Sequence, residues 1–495
     1  MQMDDLDFVE FLERHKNKEA ISFHMPGHKG TRFFKANGYD KFFRDIASAD
    51  ITEIDGADNL FKPQGIIKNI MSQYRELYGS RASYLLVNGS SSGIEAAILS
   101  CVKRGGKLIL ARNSHKSVYN AIELGNIEPI YAMPQIDENY GIVGAITSEE
   151  IDRLLAAHED ADAVIIPSPN YYGICSDIAK IASSCHAHGK ILIVDEAHGA
   201  HLKFFAPRKE FQAPQASGSA ALEFPQAAED AGADIVIVST HKTLASFTQS
   251  AVLNVMTNRV DLDALCGRLA QFTSTSPSYL LMASLAINAK LLLENRDALM
   301  RKWEENLDFF YENVRKIQWL KVIEEAGRSK SGYQLFDKSK LNIDMSQYGY
   351  DGYALQQALI EYGIYTELAS GNIVMCMTGI GNERSDYEKL LAALSDISKV
   401  RQAKINQTRI ELRKSVIAEL PERIDIAKMR KTRVNIKEAA GKVSAVNIIP
   451  YPPGSPIICS GEIITKEMVE YILSLVNAGE NLVGPDENLD IFCYI

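Results

Sequence analysis

The sequence predicts an α/β fold built on a mainly parallel β-sheet, and three observations carry that prediction. From about residue 82, short apolar runs alternate with amphipathic stretches. The runs are apolar throughout and rich in β-branched residues, as strands buried on both faces are, and helices must then cover those faces. Five polar clusters each follow such a run: Asn88 to Gly93, His115, Ser168 to Gly173, Asp195 to His198, and Ser239 to Lys242. Open α/β sheets place their ligands at the carboxyl ends of strands.

The elements follow in chain order. ASYLLV (82–87) is a strand, NGSSSG (88–93) a turn, and IEAAILSCV a helix. KLILA (107–111) is a strand and SHKSVYNAIELG a helix; PIYAM (129–133) is the next strand. Thr147 and Glu150 make a capping box ahead of IDRLLAA, whose Ile151, Leu154 and Leu155 share one face. ADAVIIP (161–167), KILIVD (190–195) and ADIVIVS (233–239) are further strands. Residues 203–232, rich in Ala, Pro, Gln and Ser, read as a surface excursion between two core strands. From 276, SPSYLLMASLAINAKLLLEN is a helix leading into weaker strands (YQLFD, NIVMCMT) and two helices (YALQQALIEYG, DYEKLLAALSDI), a smaller α+β region. Residues 386–436 are charged and read as helical. The rigid turn PYPPGSP (450–456) precedes a last helix, EMVEYILSLVNAG. The expected organisation is an N-terminal segment (1–65), a large domain (66–275), a small α+β domain (276–400) and a C-terminal domain (401–495).

Bulk properties narrow the function. A chain of 495 residues exceeds one ordinary core. The net charge of −10 argues against nucleic acid and anionic membrane surfaces, which need a basic footprint. No apolar run is long enough to cross a bilayer. MQMDDLDFVEF lacks the basic-then-apolar order of a signal peptide. The seven cysteines form no CxxC and no zinc spacing, so free thiols in a reducing cytoplasm are expected.

The chemistry gathers at the strand ends. STHKTLAS (239–246) puts Lys242 at the end of a buried strand, where desolvation readily shifts a lysine pKa. Asp195 ends another strand, and a buried carboxylate needs a cation or hydrogen bonds. NGSSSG offers N–H groups and hydroxyls to an anion at a helix start. Each has a plain alternative: a solvated lysine, an N-cap aspartate, an ordinary turn. HGAH (198–201) and HAH (186–188) lack the supporting ligands of a metal site. Together the clusters match what pyridoxal phosphate requires. Lys242 forms the Schiff base. Asp195 holds the pyridinium proton, which makes the ring an electron sink. Ser239, His241 and the NGSSSG loop hold the phosphate, and His115 stacks on the ring.

FHMPGHKG (23–30), NGSSSG, RNSHKS (112–117), VDEAHGAH (194–201), STHKTL, TSPSYLLMASL (275–285) and PYPPGSP stand in an order that resembles the Orn/Lys/Arg decarboxylase family over nearly the whole chain. The chain is most similar to its short group, the biosynthetic arginine decarboxylases without an N-terminal wing. The resemblance implies a type I pyridoxal phosphate fold, like that of aspartate aminotransferase, and a homodimer or larger assembly. It implies decarboxylation of a basic amino acid. By carry-over Lys242, Asp195 and His115 act as above, Ala197 packs beneath the ring with His198 beside it, and Ser90, Ser91, Ser239 and His241 hold the phosphate. Thr275 or Ser276 reaches a phosphate across the dimer interface.

Aminotransferases of this fold clamp the α-carboxylate with a small-domain arginine. The corresponding stretch here, NIVMCMTGIGN (372–382), contains none, and Arg384 lies in the following helix. A poorly solvated carboxylate then favours CO2 loss. The cationic tail needs acidic partners, and Glu53, Asp55, Asp58 and Glu462 are the candidates. Arginine is the expected substrate; lysine and ornithine stay open, because one methylene separates them only modestly. The alternatives are an aminotransferase or aldolase on the same fold, or a non-catalytic pyridoxal phosphate-binding regulator.

Overall fold

The structure is a computed structural model and describes residues 7–18, 20–137, 140–205, 224–323, 335–400, 429–450, 454–477, 479 and 481–495. Its centre is a seven-stranded sheet of β1 (Ala82–Leu86), β2 (Lys107–Ala111), β3 (Glu128–Ala132), β4 (Ala163–Pro167), β5 (Ile191–Asp195), β6 (Ile235–Val238) and β7 (Ala251–Val255). The strands lie in the order β1-β7-β6-β5-β4-β2-β3. The pairs from β6 to β3 are parallel, and β7 runs antiparallel to both β6 and β1. Every residue of β6 and β7 is buried, which explains why both faces read as apolar. Each Val, Leu and Ile side chain among them contributes about 1.5–3 kcal/mol through burial.

Six of the seven strands are visible in the sequence as apolar runs. The seventh, β7, is not among the strands expected: AVLNV follows a polar loop and carries Asn254 at its centre. That asparagine is buried because Ser83 donates to its Oδ1 (2.7 Å) and its amide donates to Glu229 (3.1 Å). A polar side chain with such partners sits in a buried strand without penalty.

The helix after β1 also starts earlier than expected, at Gly89. Ser90 and Ser91 therefore lie in its first turn, where unpaired N–H groups face outward from the strand end. Thr147 caps the helix Ser148–Ala157 by accepting from Glu150 N–H (3.2 Å), while the Glu150 carboxylate turns to Arg153.

A helix of 36 residues, Tyr279–Val314, links the central sheet to the small-domain sheet. Its Trp303, Leu307 and Phe310 are buried, and the Trp303 indole donates to Thr378 Oγ1 (2.9 Å). The second sheet has four antiparallel strands, Lys321–Val322, Lys340–Asp344, Ile373–Met377 and Leu368–Ser370. The N-terminal strand Ile21–Phe23 pairs in parallel with Ile364–Thr366 and so fastens the start of the chain to this region.

A third sheet joins Lys431–Asn435, Asp490–Tyr494 and Val443–Ser444, over a core that includes Ile436, Ile458 and Ile472. The stretch 431–435, expected to continue a charged helix, is thus a strand: its charges lie on an edge, with Val434 turned to that core. Most of the expected 203–232 excursion (206–223), the centre of the charged stretch (401–428) and residues 451–453 of the Pro-rich turn lie outside the described residues. Among the described residues no helix is long and apolar enough to cross a membrane.

Candidate active site

A cavity of about 460 Å³ opens at the carboxyl ends of the parallel strands. Lys242 enters it from the short helix Thr240–Thr243 that follows β6. Its Nζ lies 2.9 Å from His198 Nε2. Burial lowers the Lys242 pKa, with Asp195 and Glu367 opposing that shift and Lys340 adding to it. The amine is thereby biased toward its neutral, nucleophilic form.

Asp195 reaches the same cavity from the end of β5. One of its oxygens accepts from Ala197 N–H (3.1 Å). Burial raises its pKa, and Lys242 and that N–H hold it down. No helix starts at Asp195, so the N-cap alternative does not apply.

His115 caps the helix Lys116–Gly125 and lines the cavity. Burial first, then Lys242 and Lys116, push its pKa down to about 3, so the ring is neutral. Its Nδ1 faces Ser117 Oγ at 2.9 Å, which fixes the ring plane. Ala197 and His198 line the cavity beside Asp195.

Ser90, Ser91 and His241 form a separate polar corner of the same cavity, with Gln249. His241 Nδ1 lies 2.8 Å from the Ser250 carbonyl, so it carries the ring proton and leaves Nε2 to the cavity. Ser239 is not on the cavity surface: it is fully buried at the end of β6, with an Oγ that has no partner. A buried hydroxyl without a partner is costly unless a ligand satisfies it.

The FHMPGHKG loop also belongs to this site. Met25 lines the cavity, and Gly27 N–H donates to the His241 carbonyl (2.7 Å). A Cβ on Gly27 would lie 2.4 Å from the Leu244 carbonyl, so only glycine lets this backbone approach the lysine segment.

Five predicted positions in the stretches 53–58 and 275–276 lie elsewhere. Thr275 and Ser276 are exposed, and Ser276 lines a second depression that includes Asn88 and Ser274. Glu53 and Asp55 are exposed as well, and Glu53 accepts from Asn59 (2.6 Å). Their neighbour Asp58 caps the helix Ile66–Tyr78, accepting from Gly65 and Ile67 N–H groups (2.8 and 2.9 Å).

Glu462 is fully buried but does not line the cavity. Its Oε2 accepts from Arg112 (3.2 Å) and from Cys459 N–H (2.7 Å), while Oε1 has no partner. Within one chain Glu462 therefore serves as the counter-charge of Arg112 rather than as a wall of the cavity.

Sequence reasoning gave Arg112 no role. It lines the cavity and also donates to the carbonyls of Pro456 (2.7 Å) and Ile457 (2.9 Å). Tyr171 was passed over too; its hydroxyl donates to Glu367 (3.0 Å) and its ring lies 4.7 Å from that of His198. The strand-end cluster at 168–173 was the available signal for Tyr171, but nothing in SPNYYG specifies a role. Arg384, the nearest arginine to the small-domain strand, lies over Phe309 and donates to the Glu305 carbonyl (3.1 Å), away from the cavity. Among the described residues no group of three or more His, Cys, Asp and Glu is placed to hold a metal ion.

The residues fit pyridoxal phosphate. A desolvated lysine and a buried carboxylate share one cavity, with a neutral ring at its wall and a helix N-terminus with two serines at its corner. Ser239 Oγ, buried at the end of β6, has no partner. Strand order, the antiparallel β7 and this strand-end site define a type I pyridoxal phosphate enzyme.

Comparison with known proteins narrows the class. The major domain of Orn/Lys/Arg decarboxylase matches residues 7–327, and the C-terminal domain of that family matches 408–490. The chain is 31% identical to an arginine decarboxylase of Bacillus subtilis over 96% of this chain and 95% of that one. It is 30% identical to an arginine decarboxylase of Bacillus anthracis over 96% and 94% of the two chains. Among solved structures, Escherichia coli constitutive lysine decarboxylase superposes with a TM-score of 0.71 at 20% identity, covering 99% of this chain and 82% of the other. The protein belongs to the Orn/Lys/Arg decarboxylase family.

Proposed function

We propose that the protein decarboxylates arginine to agmatine and CO2, with Lys242 holding pyridoxal phosphate covalently. The carrying observation is the desolvated Lys242 beside His198, in a cavity whose other strand-end charge is Asp195. Bound there, the cofactor supplies an electron sink for the pair left behind as CO2 departs. Asp195 keeps a proton on the ring nitrogen, and the flat neutral ring of His115 packs against its face. Ser90, Ser91 and the helix N-terminus at Gly89 hold the phosphate, with Ser239 and His241 behind them.

The reaction choice rests on what the cavity does not offer the α-carboxylate. Among the described residues Arg112 is the single arginine lining it, and its terminal nitrogens already serve Tyr119, Pro456, Ile457 and Glu462. A carboxylate left without a guanidinium clamp in a poorly solvated site loses its charge to CO2 more readily. This favours decarboxylation over transamination. Arginine is favoured by the full-length likeness to the Bacillus enzymes.

The site is completed by a second copy in this reading. The acidic loop with Glu53 and Asp55 adjoins the 274–279 segment, because Tyr279 donates to the Asp58 carbonyl (2.7 Å). Both stretches are exposed on one chain and are presented together. A partner cavity would meet Thr275 or Ser276 at its phosphate corner and the carboxylates at its substrate tail, where an unpaired cation is costly.

The test is CO2 release from arginine, lysine and ornithine, with borohydride reduction to map the cofactor. Arginine turnover with label on the Lys242 peptide is expected; label on another lysine would overturn the assignment. Mixing Lys242→Ala with Asp55→Asn/Ser276→Ala chains tests the shared site. Mixed dimers should recover activity that neither parent variant has, and no recovery would place each site within one chain.

A further inference from the structure

The turn before the strand Lys340–Asp344 carries a fully buried carboxylate and a fully buried ammonium. Asp337, Ser339 and Lys340 are all 0% exposed. Nothing in FDKSK suggests this, since such a stretch ordinarily reads as a solvated turn.

Every polar atom of the cluster has a partner. Lys340 Nζ donates to Asp337 Oδ2 (2.9 Å), Ser339 Oγ (3.1 Å) and the His198 carbonyl (3.0 Å). That uses all three N–H groups of the ammonium. Asp337 Oδ1 accepts from Ser339 N–H (3.0 Å) and lies 3.1 Å from His201 Nε2. A carboxylate only accepts, so Nε2 carries the ring proton and Nδ1 is left to accept. Its donor is the Thr243 hydroxyl at 3.2 Å. Burial lowers the His201 pKa against the pull of Asp337, in keeping with a neutral ring.

Two arms thus leave Asp337 and end on either side of Lys242. One runs through His201 to Thr243, the next residue in the chain. The other runs through Lys340 to the backbone of His198, whose ring nitrogen lies 2.9 Å from Lys242 Nζ. We propose that Asp337, with Lys340 and His201 as its arms, is a positioning residue that fixes Lys242 and His198 from the small domain.

The physical ground is that a buried ion pair is poor evidence of stability by itself. Apolar replacements of similar shape are often neutral or better. Here one bond from each charge reaches the 198–201 segment, whose His198 lines the cavity, and misplacing a reacting group by about 1 Å costs about 100-fold in rate. The inference rests on the reading of Lys242 as the cofactor lysine.

The experiment compares the parent holoenzyme with Asp337→Asn, the double variant Asp337→Leu/Lys340→Met, and Thr243→Val. Melting, kcat and KM for arginine, and the pH titration of the cofactor absorbance are measured on each. Asp337→Asn should melt lower and lose about tenfold or more in kcat, with KM changed less than about threefold. The double variant should regain the melting temperature but neither kcat nor the parent titration. Thr243→Val cuts one arm without stranding a charge, and should lower kcat about threefold at unchanged melting. Should Asp337→Asn not fold, the other two variants carry the test. A double variant with parental kcat and titration, or Thr243→Val with parental kcat, would overturn the proposal. If borohydride fixes no cofactor on Lys242 in the parent, the reading of the site fails and takes this inference with it. If it does and the variants behave as the parent, the inference alone fails.

Discussion

The two walls of the cavity use their polar groups differently. On the strand-end wall the groups exceed their partners. His198 Nδ1 has none, and Asp195 accepts from a backbone N–H through one oxygen. On the opposite wall, formed by the C-terminal segment around Pro456 and Ile457, charge is consumed in closure. Arg112 binds two carbonyls, a tyrosine and Glu462, and its guanidinium also lies 5.2 Å from the Tyr131 ring centre. The contrast teaches where chemistry resides. Groups that line the cavity short of partners await a ligand, whereas Arg112, whose terminal nitrogens are used, holds the second wall together.

The largest effect expected lies on the first wall. Lys242→Ala should bring turnover to background while the fold survives, because the buried amine is biased toward its neutral form. Unchanged melting with no CO2 release would sharpen the contrast; residual turnover above background would break it.

Asp195→Asn comes next. The amide keeps the shape but cannot hold the ring proton, so kcat should fall about 100-fold or more. Cofactor content, read by absorbance, should fall far less. Equal losses of both would reduce Asp195 to a binding group.

The second wall should answer in stability instead. Arg112→Met strands Glu462 in a buried site, and breaking such a pair costs about 3–5 kcal/mol. Denaturant unfolding should show this, and adding Glu462→Gln should recover part of it. Glu462→Gln alone should leave the arginine KM within about threefold. A tenfold rise would instead bring Glu462 into contact with the substrate tail.

The smallest effect concerns a third place, behind the strand-end wall. Glu196 and Glu229 are both buried, and burial raises both pKa values above the usual 4.5, with mutual repulsion adding to the shift of Glu196. An acid whose folded pKa is raised contributes its stability below the unfolded value and loses it as pH rises through the folded one. Glu229→Gln should therefore melt closer to the parent at pH 5 than at pH 8, where the variant should be the more stable. A difference independent of pH would mean that the pair carries no shared proton.

Much of the strand-end wall could be read from the chain because each of its residues follows an apolar run. The run fixes a strand, and the strand fixes which end its next residue occupies. Lys242, Asp195 and His115 needed nothing more. The second wall could not be read in this way. Glu462 and Arg112 are far apart in the chain, and no period or motif says that a guanidinium will meet this carboxylate before a substrate can. Glu53 and Asp55 illustrate the same gap, since nothing in their local pattern says that they are exposed and away from the cavity.

The sequence by itself determined six strands of the central sheet, their helical covering and the strand-end positions, because hydrophobic period and turn residues are local properties written in consecutive positions. Only the tertiary structure decided which charges are buried and with whom. It buried Asp337 and Lys340, two residues that any local rule leaves in water, and it turned Glu462 toward Arg112. Burial and pairing depend on atoms brought together from distant parts of the chain, and the cost of an unpaired charge in that interior, not the residue type, sets what each one does.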